Sequence, residues 1–116
     1  MNEIVSKFPG LKRMSMKEKI TSLEEAARLV KDGCLLGLTS YLENAPMAFL
    51  RKVVQLGTKD LRVATLPGGG LNVDLLIGAG AVSEYETCYC SLGVYGQAPN
   101  FQRALRGGRL KIKDST

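Results

Sequence analysis

Three short stretches of the 116-residue chain gather the groups that could do chemistry. The first runs from Thr39 and Ser40 to Glu43-Asn44, bringing hydroxyls, an amide and one carboxylate close together in sequence. Glu43 has two readings: a nucleophile or base, or a solvated loop carboxylate. The second stretch is Pro67-Gly68-Gly69-Gly70, followed by Asn72. Three successive glycines leave their backbone amides uncovered by any Cβ. They precede a helix start, where amides and dipole together favour an anion. An alternative is a tight turn where strand and helix pack closely. No Gly-Lys-Ser/Thr follows, so the stretch is not a Walker A loop, and it lacks the G-x-G-x-x-G spacing of a dinucleotide fingerprint. The third stretch, Leu92 to Ala98, contains Gly93, Tyr95, Gly96 and Gln97. Tyr95 either stacks on a ring or covers the core.

What is missing limits the chemistry further. There is no histidine, which removes His-based acid–base catalysis, the Ser-His-Asp and Cys-His systems and most zinc sites. The cysteines are Cys34, Cys88 and Cys90. Cys88 and Cys90 share a strand face if they lie in a strand. Two such residues do not make a metal site, so they read as small buried side chains in a reducing cytoplasm. No metal and no permanently bound cofactor is expected.

The rest of the sequence is the scaffold that must hold these stretches. Ser22-Leu23-Glu24-Glu25 has the form of a capping box, and Leu23, Ala26, Ala27 and Val30 continue at helical spacing until Asp32-Gly33. Cys34 to Leu38 is a short apolar run, the pattern of a strand buried on both faces. Pro46 opens a second helix with Met47, Phe49, Leu50, Val53 and Val54 on its apolar face. Leu61 to Leu66 is a second strand. A third helix, Val73 to Ala79, is apolar nearly all round and should be buried. Glu84 to Leu92 reads as a third strand, with Tyr85, Thr87, Tyr89 and Ser91 on one face. Pro99 to Leu105 is a fourth helix, and Leu110-Lys111-Ile112 starts a last strand. Strands alternating with helices imply βαβ units and a mainly parallel sheet. Ligands of such sheets bind beyond the carboxyl ends of the strands, where the three stretches fall. Those loops are read as polar, with little apolar surface.

Length and charge bound the remainder. The chain suits one domain, divided into an N-terminal arm at 1–19 and an α/β domain at 20–116. No apolar run is long enough to cross a bilayer and no secretory h-region opens the chain, so a cytoplasmic protein is expected. The net charge of +5 belongs to the two ends. Residues 1–19 hold five basic and two acidic side chains, residues 103–116 five and one, and the stretch between them six and eight. A nucleic-acid surface would show basic residues mixed with aromatics or a known motif, and neither is present.

Taken in order, several segments resemble the alpha-type (A) subunits of class I coenzyme A transferases, the glutaconate and 3-oxoacid types, and related CoA-ester hydrolases. They are Thr21-Ser22-Leu23-Glu24-Glu25-Ala26, Val30-Lys31-Asp32-Gly33, Pro46 to Arg51, Lys59-Asp60-Leu61, Gly69 to Gly80, and Phe101-Gln102-Arg103-Ala104 running into Gly108-Arg109-Leu110. The stretch from Gly69 to Gly80 is the most specific.

The resemblance implies a three-layer α/β fold of the CoA-transferase/ribose-phosphate-isomerase kind, apparently truncated after Thr116. It also implies transfer of coenzyme A from an acyl-CoA to a carboxylic acid through a glutamate on a partner beta-type subunit. Coenzyme A is then a substrate, and the chain associates with that partner or with itself. Thr39, Ser40, Asn44, Gly68, Gly69, Gly70, Asn72, Gly93 and Gln97 become candidates for holding the acyl group. Glu43 departs from the family pattern, which has a small-residue, proline-rich turn there, and remains a catalytic candidate. Two other outcomes stay open: a CoA-ester hydrolase subunit, in which water is the acceptor, and a non-catalytic binding or assembly module. Neither a nucleic acid nor a membrane is an expected partner.

Overall fold

The computed structural model describes residues 18–39, 42–87 and 89–114. The expected arm at 1–19 therefore lies outside the described residues except for Glu18 and Lys19, and Ser40 and Cys88 lie outside them too. Four helices alternate with four strands: α1 Leu23–Arg28, β1 Leu35–Thr39, α2 Met47–Gln55, β2 Leu61–Leu66, α3 Leu71–Gly78, β3 Val82–Thr87, α4 Pro99–Arg106 and β4 Lys111–Asp114. The capping box forms as the sequence predicts, with the Glu25 amide donating to Ser22 Oγ at 3.1 Å and the Ser22 amide donating to the Glu25 carboxylate at 3.3 Å.

All strands are parallel and lie in the order β1-β2-β3-β4. Right-handed crossovers between strands that step one way across a sheet put every crossover helix on the same face. The contacts agree, since α1 packs on α2, α2 on α3 and α3 on α4. One core fills the space between. It takes Leu50 and Val53 from α2, Val73, Leu76 and Ile77 from α3, Phe101 and Ala104 from α4, and Leu38, Leu61, Val63 and Tyr85 from the sheet. Each large apolar side chain fully removed from water there stabilises the fold by about 1.5–3 kcal/mol. Tyr85 and Phe101 meet edge to face at 5.8 Å.

The described residues thus supply two layers, the sheet and one set of helices. On the far face of the sheet stand Leu35, Gly37 and Thr39 of β1 and Leu66 of β2, all exposed. The Cys34–Leu38 run is therefore not enclosed on both sides as its apolarity predicts: Leu35 is 60% exposed while Leu38 is buried. No element among the described residues covers that face. Its other half is ionic. Lys111 and Lys113 of β4 pair with Glu84 and Glu86 of β3 at 3.1 to 3.8 Å, in the register Glu84↔Lys111 and Glu86↔Lys113. Hydrogen bonding from Lys111 holds the Glu84 carboxyl below its usual range. Cross-strand pairs of this kind help set register, so part of the C-terminal basic cluster has a structural use.

Candidate functional site

The strand order makes the three loops neighbours at the carboxyl end of the sheet, and hydrogen bonds tie them together. The Asn72 side chain donates to the Thr39 carbonyl at 3.4 Å, joining the first loop to the second. The Gly69 amide donates to the Tyr89 carbonyl and the Ser91 amide to the Gly69 carbonyl, both at 3.0 Å, joining the second to the third.

The triple glycine is built for close packing. Gly68, Gly69 and Gly70 are all buried. A Cβ on Gly68 would strike the Tyr89 ring, and one on Gly69 the Tyr85 hydroxyl. Two of its amides are also occupied: Gly69 bonds Tyr89, and Gly70 donates to Asn72 Oδ1 at 3.2 Å, which also accepts from the Val73 amide at 2.8 Å. Asn72, fully buried, thereby serves α3 as a cap from inside its own first turn, where Gly70 has no side chain to do so. Of the two readings open in the sequence, the tight turn describes this loop.

Beneath the loops lies a polar knot. Thr65 Oγ1 meets the Tyr85 hydroxyl at 2.9 Å and Thr87 Oγ1 at 3.3 Å. Thr87 Oγ1 accepts from the Tyr89 amide at 3.0 Å and donates to the Tyr89 carbonyl at 2.6 Å. This ring sits where β3 ends, at Thr87, rather than running to Leu92 as the alternation of side chains predicts. Beyond it the pairing resumes only as an isolated parallel bridge, Gly69↔Cys90. Beside the knot is Cys90, whose thiol is pushed up to about 12, chiefly by burial and then by the Asp74 carboxylate, against a hydrogen bond with Tyr85 that lowers it. It is buried, as the sequence reading expects, and it stays a thiol at neutral pH.

The surface of this end differs from the polar one expected. Thr39, Glu43, Asn44, Gly93 and Gln97 are exposed, and Gln97 Oε1 accepts from Gln102 Nε2 at 2.8 Å. Around them stand Leu66 at 73% exposure, Val94 at 94% and Tyr95 at 82%, with Leu71 and Tyr89 also exposed. Tyr95 sits on a 3-10 turn, Gly93–Tyr95, and points away from the core. Glu43 and Asn44 occupy the turn before α2, where Asn44 takes φ 56°. Sequence reasoning missed Leu66, Leu71 and Val94, each of which reads as a core residue by type. It also missed Asp74. This buried carboxylate accepts from the Phe101 amide at 2.8 Å and from Asn100 Nδ2 at 3.1 Å, so it caps α4 from α3. Among the described residues no group of His, Cys, Asp and Glu is arranged to hold a metal.

No protein-family profile and no curated protein matches the chain in sequence. Solved structures do match. The fold is similar to glutaconate coenzyme A-transferase from Acidaminococcus fermentans, with a TM-score of 0.76 and 26% identity over 85% of this chain. It is similar also to a variant of the decarboxylase AibA/AibB, with a TM-score of 0.75 and 26% identity over 83% of this chain. The chain spans only 32% and 38% of those two proteins' chains, respectively. The ordered segments, the parallel α/β sheet and these likenesses agree: the chain has a CoA-transferase-like fold.

Proposed function

We propose that this chain is an alpha-type portion of a CoA-transferase, one wall of an acyl-CoA cleft whose nucleophilic glutamate comes from a beta-type partner. The supporting observation is the surface of the three tied loops. Leu66, Leu71, Tyr89, Val94 and Tyr95 offer an apolar rim, while Glu43, the one carboxylate these loops contain, lies on an exposed turn. An apolar rim with few polar groups suits an acyl chain enclosed between two proteins. Glu43 has no hydrogen bond among the described residues to aim it, and an attacking carboxylate needs a fixed orientation. Thr39, Ser40, Asn44, Gly93 and Gln97 are the candidates for polar contacts to the acyl group. Gly68, Gly69, Gly70 and Asn72 act by holding the loops in place beneath them.

The test is thioester loss from acyl-CoA, followed with the chain alone, with a co-expressed beta-type subunit, and with or without a free carboxylate. Turnover that needs both partner and carboxylate is expected, and Glu43→Gln should leave it unchanged. Thioester loss without an acceptor would make the assembly a hydrolase. Release of carbon dioxide would align it with the decarboxylase. Turnover by the chain alone, lost in Glu43→Gln, would sink the proposal, and no turnover with any partner would leave a binding module.

A further inference from the structure

A second cleft lies away from the loops, in the groove between α3 and α4 beside the amino ends of β3 and β4. Its volume is about 370 Å³, within the range of about 300–1,000 Å³ usual for small-molecule sites. Ile77, Ala104 and Leu110, each under a tenth exposed, and the half-buried Val82 form a narrow apolar floor within a mainly polar cleft, and the two charged residues that line it are Arg103 and Arg109. No carboxylate lines it. Neither arginine has an acidic partner among the described residues, whereas Arg28, Lys111 and Lys113 do.

The Arg103 guanidinium is positioned by a hydrogen bond. Arg103 donates to Asn100 Oδ1 at 3.1 Å, and Asn100 is itself held by Nδ2 donating to the Asp74 carboxylate and carbonyl at 3.1 and 3.3 Å. The Asn100 amide lies where a Cβ on Gly78 would be, so that glycine makes room for the arrangement. Arg109 is folded over Gly107, its Nε 3.1 Å from where a Cβ would stand there. The carbonyls of Arg103 and Ala104, which would repel an anion, already accept from the amides of Gly107 and Arg109.

We infer that this cleft binds a small carboxylate with a short apolar chain, its charge on Arg103 and Arg109 and its chain on the Ile77–Leu110 floor. Two forked donors with no competing acid suit a carboxylate, and the floor distinguishes such a ligand from a bare inorganic anion. The site is separate from the proposed acyl-CoA wall and needs no partner chain, so either reading can fail without the other.

Butyrate titrated into the full chain at constant ionic strength, followed by amide and guanidinium NMR shifts, tests it. Saturable shifts at Ala104, Leu110 and the two arginines are expected, with 1-butanol and inorganic phosphate binding more weakly. Arg103→Gln and Arg109→Gln should each weaken butyrate about threefold to tenfold and leave the melting temperature unchanged, since both side chains are exposed. Gly78→Ala, by displacing Asn100, should weaken butyrate while both charges remain. Shifts that do not saturate, butyrate affinity untouched in the double arginine variant, or phosphate binding as tightly as butyrate would each overturn the inference.

Discussion

At the scale of single residues, glycine does something here other than permit unusual backbone angles. Gly69 is where the Tyr85 hydroxyl passes the chain on its way to Thr65, so any side chain must displace a buried tyrosine. Gly69→Ala should therefore destabilise the fold by about 3 kcal/mol, as overpacked cores do, and urea unfolding would register it as a lowered midpoint. Adding Tyr85→Phe removes the nearest obstructing atom and should recover part of the loss. A Gly69→Ala midpoint equal to that of the parent would refute the packing account. The glycine run was plain in the sequence, but its use was not. Only the position of Tyr85, set by the register Val63↔Tyr85, decides between an open cradle and a packed turn. Val94 and Leu66 were passed over for a related reason. Residue type reports how apolar a side chain is and not whether its own chain or another one covers it.

Among elements, the helices are joined to each other by polar anchors as well as by apolar contact. Asp74 sits within the nearly all-apolar α3, and its carboxylate holds the first turn of α4 through the Phe101 amide. Ala98, the residue at the N-cap position, has no side chain to do that. Asp74→Ala should cost about 2 kcal/mol, the combined loss of a cap and a buried partner, with α4 exchanging its amide protons first. Protection of the Phe101 amide that is unaltered in this variant would rule the anchor out. The order and type of all eight elements follow from spacing: helical periods, the capping box, Pro46 and Pro99 at helix starts, and glycines at helix ends. What spacing cannot show is a cap supplied from another helix, or a ring of hydrogen bonds among Thr65, Tyr85, Thr87 and Tyr89 at the end of β3. Both depend on groups brought together by the fold rather than by the local chain.

At the scale of the whole molecule the leading fact is that the described residues form a sheet with helices on one side. Leu35 and Leu66 bring apolar side chains to the other face, next to the Glu84–Lys111 and Glu86–Lys113 pairs. An apolar strip beside an ionic one is the mixture found at protein interfaces, and β4 presents an edge whose outer backbone groups have no strand partner among the described residues. The chain is accordingly expected to associate, with a beta-type partner or with itself. Sedimentation at micromolar concentration should find a species heavier than one chain, and Leu35→Lys or Leu66→Lys should shift it towards the monomer. A stable monomer of the parent sequence would contradict this. The apolar run at Cys34–Leu38 reads as a strand covered on both sides, and among the described residues only one side is covered.

The sequential strand order has a consequence for how the sheet is made. Among the described residues every strand after β1 pairs with the strand immediately before it in the chain, and none inserts between two earlier ones. Pairing partners are therefore separated by a single crossover helix, which keeps loop-closure entropy low for a parallel sheet. A ribosome releasing this chain would deliver each strand after its docking edge already exists, so the sheet can grow outwards in the order of synthesis.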